Sequence, residues 1–356
     1  MSVILAILII ILISKSEFTG SNYNRNYLSR DTTATVNGIF VMLVFLSHYY
    51  PYIGTPGEYD QAYAALRVHL NQAEVVTFLF YSGYGIMESI KRKGFSYVQK
   101  LPQKALQVLF RFDTAVLLYL ILDVFILHNG FVKDLKTVLL ALLTWTSVGN
   151  SNWYITAVLC LYLLTFIAFL PIAKKDSPLM QNICTILLIL FTMATVYVQM
   201  KLHRPNYCYN TMIMFPLGIV YSLHRQSIEK VLLHSEITFY CSFLLTVGLY
   251  CYSIGERLQS IEMYTLWIIA FMAAVVLLTM IIDVRSKFFL WLGNHVFSIY
   301  ILQRIPMHIL SHYGYTRSHK YFSLVLAFLS TVFIALLFEK ATDWVINKLS
   351  EKRNSA

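Results

Sequence analysis

Charge is the scarcest property of this sequence. Asp, Glu, Lys and Arg together make up 13% of it, about half the share of an ordinary soluble domain. Hydrophobic residues reach 58%, with a mean hydropathy of +0.61. That balance excludes a water-soluble globular fold. Cysteine is scarce too. The five present (Cys160, Cys184, Cys208, Cys241 and Cys251) are odd in number and show no C-x-x-C spacing, so no disulfide framework, zinc site or catalytic thiol is expected. Acidic residues number 18 against 28 basic ones, a net +10. The surplus lies in short connections between apolar runs, which is the pattern of topogenic charge and argues against nucleic acid as a partner. No cleavable leader is expected at Val3–Ser14, which has no basic stretch before it and no small-residue cleavage site after it. No repeat, low-complexity tract or heptad pattern appears.

What is present is a series of long apolar runs, each near the ~20 residues needed to cross a bilayer core. After the first segment, they fall at about 36–53, 73–90, 109–128, 153–172, 182–200, 210–223, 232–253, 263–283, 288–310 and 321–339. The expected fold is an all-α polytopic bundle of about eleven spans in a single domain over 1–356. Residues 1–20 form an extra first helix and 340–356 a short cytoplasmic tail. The stretch "TVLLALLTWTSVG" at 137–149 is too short to span and reads as re-entrant or interfacial. With the amino terminus outside and 137–149 not crossing, most of the Lys and Arg residues fall on one side, as the positive-inside rule requires. The densest cluster, "KRKGFSYVQKLPQK" at 91–104, marks that connection as cytoplasmic.

Ionisable groups inside hydrocarbon cost about 2.5–3.5 kcal/mol or more, so they usually face a bundle interior or an aqueous cavity. The candidates are His48, Glu88, Asp113, Asp123, His128, Asp283, Arg304 and His308. Several sit near helix ends, where the side chain can reach the interface. His48 is different. It stands eleven residues after Asn37, about 16 Å along a helix, which places it in the outer half of the membrane. Spacing alone leaves two readings open: a hydrogen bond that fixes helix packing, or a group that moves protons.

The wider pattern separates them. "VNGIFVMLVFLSH", then "FLFYSGYGIMESIKRKGFSYVQKLPQKALQVLFRF", "NWYITAVLCLYLL", "FPLGIVYS" and "WLGNHVFSIYILQRIPM" follow one another in an order that resembles the acyltransferase-3 family of bacterial membrane O-acyltransferases, over roughly residues 30–340. By that resemblance His48 takes the position of the catalytic histidine. Asn37 stands where the family carries a basic residue, and Arg30, seven residues earlier, is the available charge. Phe78, Ser82, Gly83 and Tyr84 match the second helix signature. Lys104 and Arg111 keep part of the basic pattern that follows it, with Gln107 in place of one cation. Trp153 matches a tryptophan that opens a later helix. Leu292, Gly293, Phe297, Ser298, Ile299 and Tyr300 match the last signature, and Gln303 replaces a histidine that often follows it. Glutamine can orient a substrate but cannot exchange protons.

The resemblance implies transfer of an acyl group, with acetyl as the family default, from acyl-CoA to a hydroxyl of an extracytoplasmic glycan, with His48 as general base and no metal. Oxyanion or substrate contacts are expected among Asn37, Ser82, Gly83, Asn152, Trp153, Gln303 and Arg304. Donor phosphates are expected on Lys104, Arg111 and Arg30. Ser82 and Gly83 also suit close helix packing, and Trp153 an interfacial aromatic belt. The expected setting is the inner membrane of a bacterium, with membrane lipid, a glycan or polysaccharide acceptor and envelope-glycan enzymes as partners. A transporter or flippase for a glycan or lipid-linked sugar is the competing reading; against it, no symmetric halves or paired Gly/Pro-broken helices are visible.

Overall fold

A computed structural model describes residues 1–132 and 134–354, with side chains through Glu351. Lys133 and residues 355–356 lie outside the described residues, as do the side chains of Lys352 and Arg353, two of the basic groups assigned to the cytoplasmic side. The fold is helical. It starts with α1 (Ser2–Ser14), α2 (Arg30–Tyr49), the short outer helix α3 (Gln61–Leu70) and α4 (Ala73–Lys93). Next come the single turn α5 (Phe95–Val98), α6 (Leu101–Leu122), α7 (Leu135–Leu142), α8 (Trp153–Phe169) and α9 (Pro178–Lys201). Then follow α10 (Met214–Leu232), α11 (Glu236–Glu256), α12 (Ile261–Ile281), α13 (Lys287–Asn294), α14 (Val296–Leu302), α15 (Arg304–His312), α16 (Tyr315–Ser318) and α17 (Lys320–Asn354).

Among the described residues, six helical segments are both long and apolar enough to cross a membrane: Arg30–Ile53, Trp153–Ala173, Pro178–Lys201, Glu236–Glu256, Ile261–Ile281 and Lys320–Glu351. The protein is thus a multi-pass membrane protein. Helix starts follow local chemistry: Ser29, Ser177, Ser235, Ser260 and Ser286 accept a backbone N–H of the first turn of α2, α9, α11, α12 and α13, satisfying a donor that would otherwise be orphaned. The two strands, Ser16–Phe18 (β1) and Ile282–Val284 (β2), pair antiparallel with Glu17 opposite Asp283. Arg285 bridges these two like charges, at 2.5 Å from Glu17 and 2.6 Å from Asp283.

One sequence expectation is corrected. The run at 288–310 is three helices rather than one. Pro306 has no N–H to give the carbonyl of Leu302, and the helix breaks between α14 and α15; the Tyr119 hydroxyl donates to the neighbouring Ile301 carbonyl at 3.1 Å. The stretch read as a tail from residue 340 continues α17 to Asn354. The outer loop at 54–72 contains α3. The 137–149 stretch contributes only the eight-residue α7, capped by Asp134, followed by an irregular segment.

Two helix pairs are interlocked through glycines. A Cβ on Gly38 of α2 would collide with the Phe289 carbonyl of α13, and one on Gly293 with the Ala34 carbonyl of α2. In the same way Gly83 of α4 lies against the Phe215 carbonyl of α10, and Gly218 against that of Phe80. Small residues let backbones meet where lipid provides no hydrophobic drive. These contacts fix α2 and α4, the two helices that line the site.

Candidate active site

On α2, Arg30, Thr33, Asn37, Val44 and His48 recur at three, four and seven residues and so share one face; on α4, Glu74, Thr77, Tyr81, Tyr84 and Glu88 do likewise. The two helices pack together. At one end their faces line a cavity of about 470 Å³ with Arg25, Arg30, Thr33, Tyr81, Tyr84, Glu88, Arg92 and Arg225. At the other they line one of about 210 Å³ with Val44, Ser47, His48, Arg67, Glu74, Trp153, Tyr207, Tyr300 and Arg304. Between them lie buried polar atoms with no hydrogen-bond partner: Asn37 Oδ1, Thr77 Oγ1 and Tyr81 OH. Unpaired polar atoms are costly in a membrane protein interior, and by helical spacing this set forms a polar seam along α2 and α4 between the residues of the two cavities.

His48 sits in the last turn of α2 with Nδ1 buried and unpaired. Its ring is 6.0 Å from that of Tyr300, which meets Tyr154 edge-on at 5.3 Å; Tyr154 in turn contacts Phe78 and Trp153. This aromatic wall holds the imidazole in place. Gln303, fully buried, donates Nε2 to the Tyr300 carbonyl at 3.0 Å and leaves Oε1 unpaired. Arg304 follows at the start of α15, with Nε buried and unpaired. The helix break made by Pro306 therefore delivers Tyr300, Gln303 and Arg304 to His48.

The expected site residues divide. His48, Trp153 and Arg304 line one cavity, with Gln303 beside them. Asn37 is in the seam. Asn152 donates Nδ2 to the Thr144 carbonyl at 2.6 Å and so ties down the segment after α7; His308 Nε2 holds the same segment at 2.9 Å from Gly149 O. Ser82 lies 3.4 Å from the Tyr162 hydroxyl, away from the His48 cavity, and Gly83 is an interlock position. The three cations expected to hold the donor are split. Arg30 lines the larger cavity, whereas Lys104 and Arg111 line a separate one of about 190 Å³ with Tyr162 and Phe297. There Arg111 pairs with Asp343 at 2.5 Å, and Lys104 lies over the Tyr97 ring.

Sequence reasoning missed Glu74, Arg67, Arg25 and Arg225. Glu74 is 3% exposed with Oε1 unpaired. Arg225 bonds Glu229 at 2.6 Å and the Tyr84 hydroxyl at 3.1 Å, which fixes its guanidinium at the larger cavity. No local spacing marks Glu74, which opens α4 and is buried by packing against α2. Among the described residues no group of three or more His, Cys, Asp or Glu is arranged to hold a metal.

Compared with known proteins, the acyltransferase-3 family model, described as an acyltransferase domain, matches residues 36–340. Neither the curated proteins nor the solved structures give a match.

Proposed function

The chain belongs to the acyltransferase-3 family, a membrane acyltransferase by its domain and its apolar helices, and from that premise we propose that it moves an acetyl group from acetyl-CoA to a glycan hydroxyl with His48 as general base. The observation that carries this reading is the row of unpaired polar side chains that helical spacing places between an arginine-rich cavity and the His48 cavity. Four arginines (Arg25, Arg30, Arg92 and Arg225) suit the phosphates of the donor at one end. A neutral-capable base in an aromatic, polyhydroxyl-friendly cavity suits a sugar at the other. Asn37 lies between and is suited to a hydrogen bond with the amide-bearing arm of the donor.

The thioester is already activated, so the residues need only position it, take a proton and stabilise charge. His48 accepts the proton of the acceptor hydroxyl while its oxygen attacks the thioester carbonyl. Arg304, with its unpaired Nε–H, stands beside His48 to receive the oxyanion of the tetrahedral intermediate. The C–S bond then breaks, and the coenzyme A thiolate leaves and takes up the proton held by His48. The basic end faces the cytoplasm, where acyl-CoA is made, and the His48 cavity opens outward in a bacterial inner membrane. Mass analysis of envelope glycans with and without the protein tests this against a flippase: loss of acetyl from a polymer that is still exported supports transfer, and loss of the polymer itself supports transport.

A further inference from the structure

We infer that the acceptor bound in the His48 cavity carries an anionic group, a carboxylate or a phosphate, and that Arg67 recognises it. The inference deepens the transferase reading and rests on it for the word acceptor. The cavity brings together two guanidinium groups, Arg67 and Arg304, and one carboxylate, Glu74. No ion pair within 4.0 Å joins any of them to a partner among the described residues; Glu74 is within electrostatic reach of Arg67 and no closer.

Other charges at this end are satisfied differently. Asp60 pairs with the amino terminus at 2.7 Å and with Lys320 at 3.1 Å. Arg257 donates to the Ile254 and Val68 carbonyls, and Arg204 lies 4.1 Å over the Trp145 ring. Arg67 is held at one side of its guanidinium: Nε donates to Ser47 Oγ at 3.3 Å and the group lies 5.1 Å from the Tyr50 ring centroid. Among the described residues its terminal nitrogens make no hydrogen bond or ion pair.

With His48 neutral, the cavity keeps one positive charge more than its own carboxylate balances. An excess of positive charge lining a cavity favours an anionic ligand, and a guanidinium fork is the group best matched to a carboxylate or phosphate. The transient oxyanion uses Arg304, next to His48. Arg67, on the separate helix α3, is left for a permanent anion. The unpaired Oε1 of Glu74 completes the site as an acceptor for sugar hydroxyls.

The test measures binding to the purified full-length chain in nanodiscs, without donor, at low salt. The probes are a glucuronate-containing oligosaccharide, its carboxyl-reduced counterpart and a phosphate-substituted oligosaccharide of the same size. Wild type is expected to bind a charged probe about 10- to 100-fold more tightly than the neutral one. The better of the two charged probes identifies the source of the anion. Arg67→Gln is expected to lose that preference while keeping affinity for the neutral sugar, and Arg67→Lys to keep part of it. Equal affinity for charged and neutral probes in wild type, an unchanged preference in Arg67→Gln, or no binding of either charged probe overturns the inference. Because binding is read without donor, a kept charge preference together with no acyl transfer in a separate assay with acetyl-CoA counts against the transferase reading alone.

Discussion

Replacing Gly38 by alanine is expected to damage both the fold and the chemistry. The added Cβ meets the Phe289 carbonyl, which is backbone and cannot rotate away, so α2 and α13 must separate by on the order of 1 Å. Overpacking of this kind costs about 1–3 kcal/mol. The consequence reaches the site because His48 lies ten residues further along α2, about 15 Å away, and Tyr300 and Arg304 continue from α13. A misplacement of ~1 Å at the reacting groups costs on the order of 100-fold in rate. Gly248→Ala is the control: nothing lies within 4 Å of its added Cβ, and helix propensity alone predicts a gain of up to about 1 kcal/mol. Thermal unfolding of the detergent-purified chain, together with acyl transfer measured on the same samples, compares the two. If Gly38→Ala melts at or above Gly248→Ala, the interlock does not hold α2 in place and the reasoning fails.

Substituting Arg25, Arg30, Arg92 or Arg225 singly by glutamine should raise KM for acyl-CoA, increasingly so at low salt, with little change in kcat; a larger effect from Lys104→Gln would move the donor to the other basic cavity. Burial pushes the Asp60 carboxyl up, but hydrogen bonds from the amino terminus, the Gly57 N–H and Lys320 outweigh it and hold the group at about 2. Since that lies below its unfolded value near 3.9, the stabilisation is complete at neutral pH and fades only as the pH falls toward 2. Asp60→Asn should therefore cost on the order of 3 kcal/mol near pH 7, measured by thermal unfolding, and the deficit should shrink in strong acid.

Much of the fold was legible because a membrane imposes its own grammar. Apolar runs near 20 residues announce helices, and the 137–149 stretch stands apart from them by its length. The break before Arg304 was legible in principle, since Pro306 is visible in the sequence. It was obscured by the continuous apolarity of 288–310, which signals burial without revealing helix continuity. His48 could be singled out because its cost in hydrocarbon is intrinsic. Glu74 could not, because it begins a helix and looks like a charge at the interface; only the packing of α4 on α2 buries it. Gly83 was ambiguous for the opposite reason. Close approach and substrate contact need the same small residue, and the facing Phe215 carbonyl identifies close approach. The division of the cations between two cavities depends on which helices neighbour α4 and α6, information that no local spacing contains.

The central claim is that His48 takes the proton from the acceptor hydroxyl. Single-turnover acyl transfer from radiolabelled acetyl-CoA, with purified wild type and a His48→Gln variant shown by thermal unfolding to be folded and by binding to retain donor, addresses it directly. The account predicts that transfer falls by about 100- to 10,000-fold while donor affinity is unchanged. Transfer at the wild-type rate in that variant would contradict it.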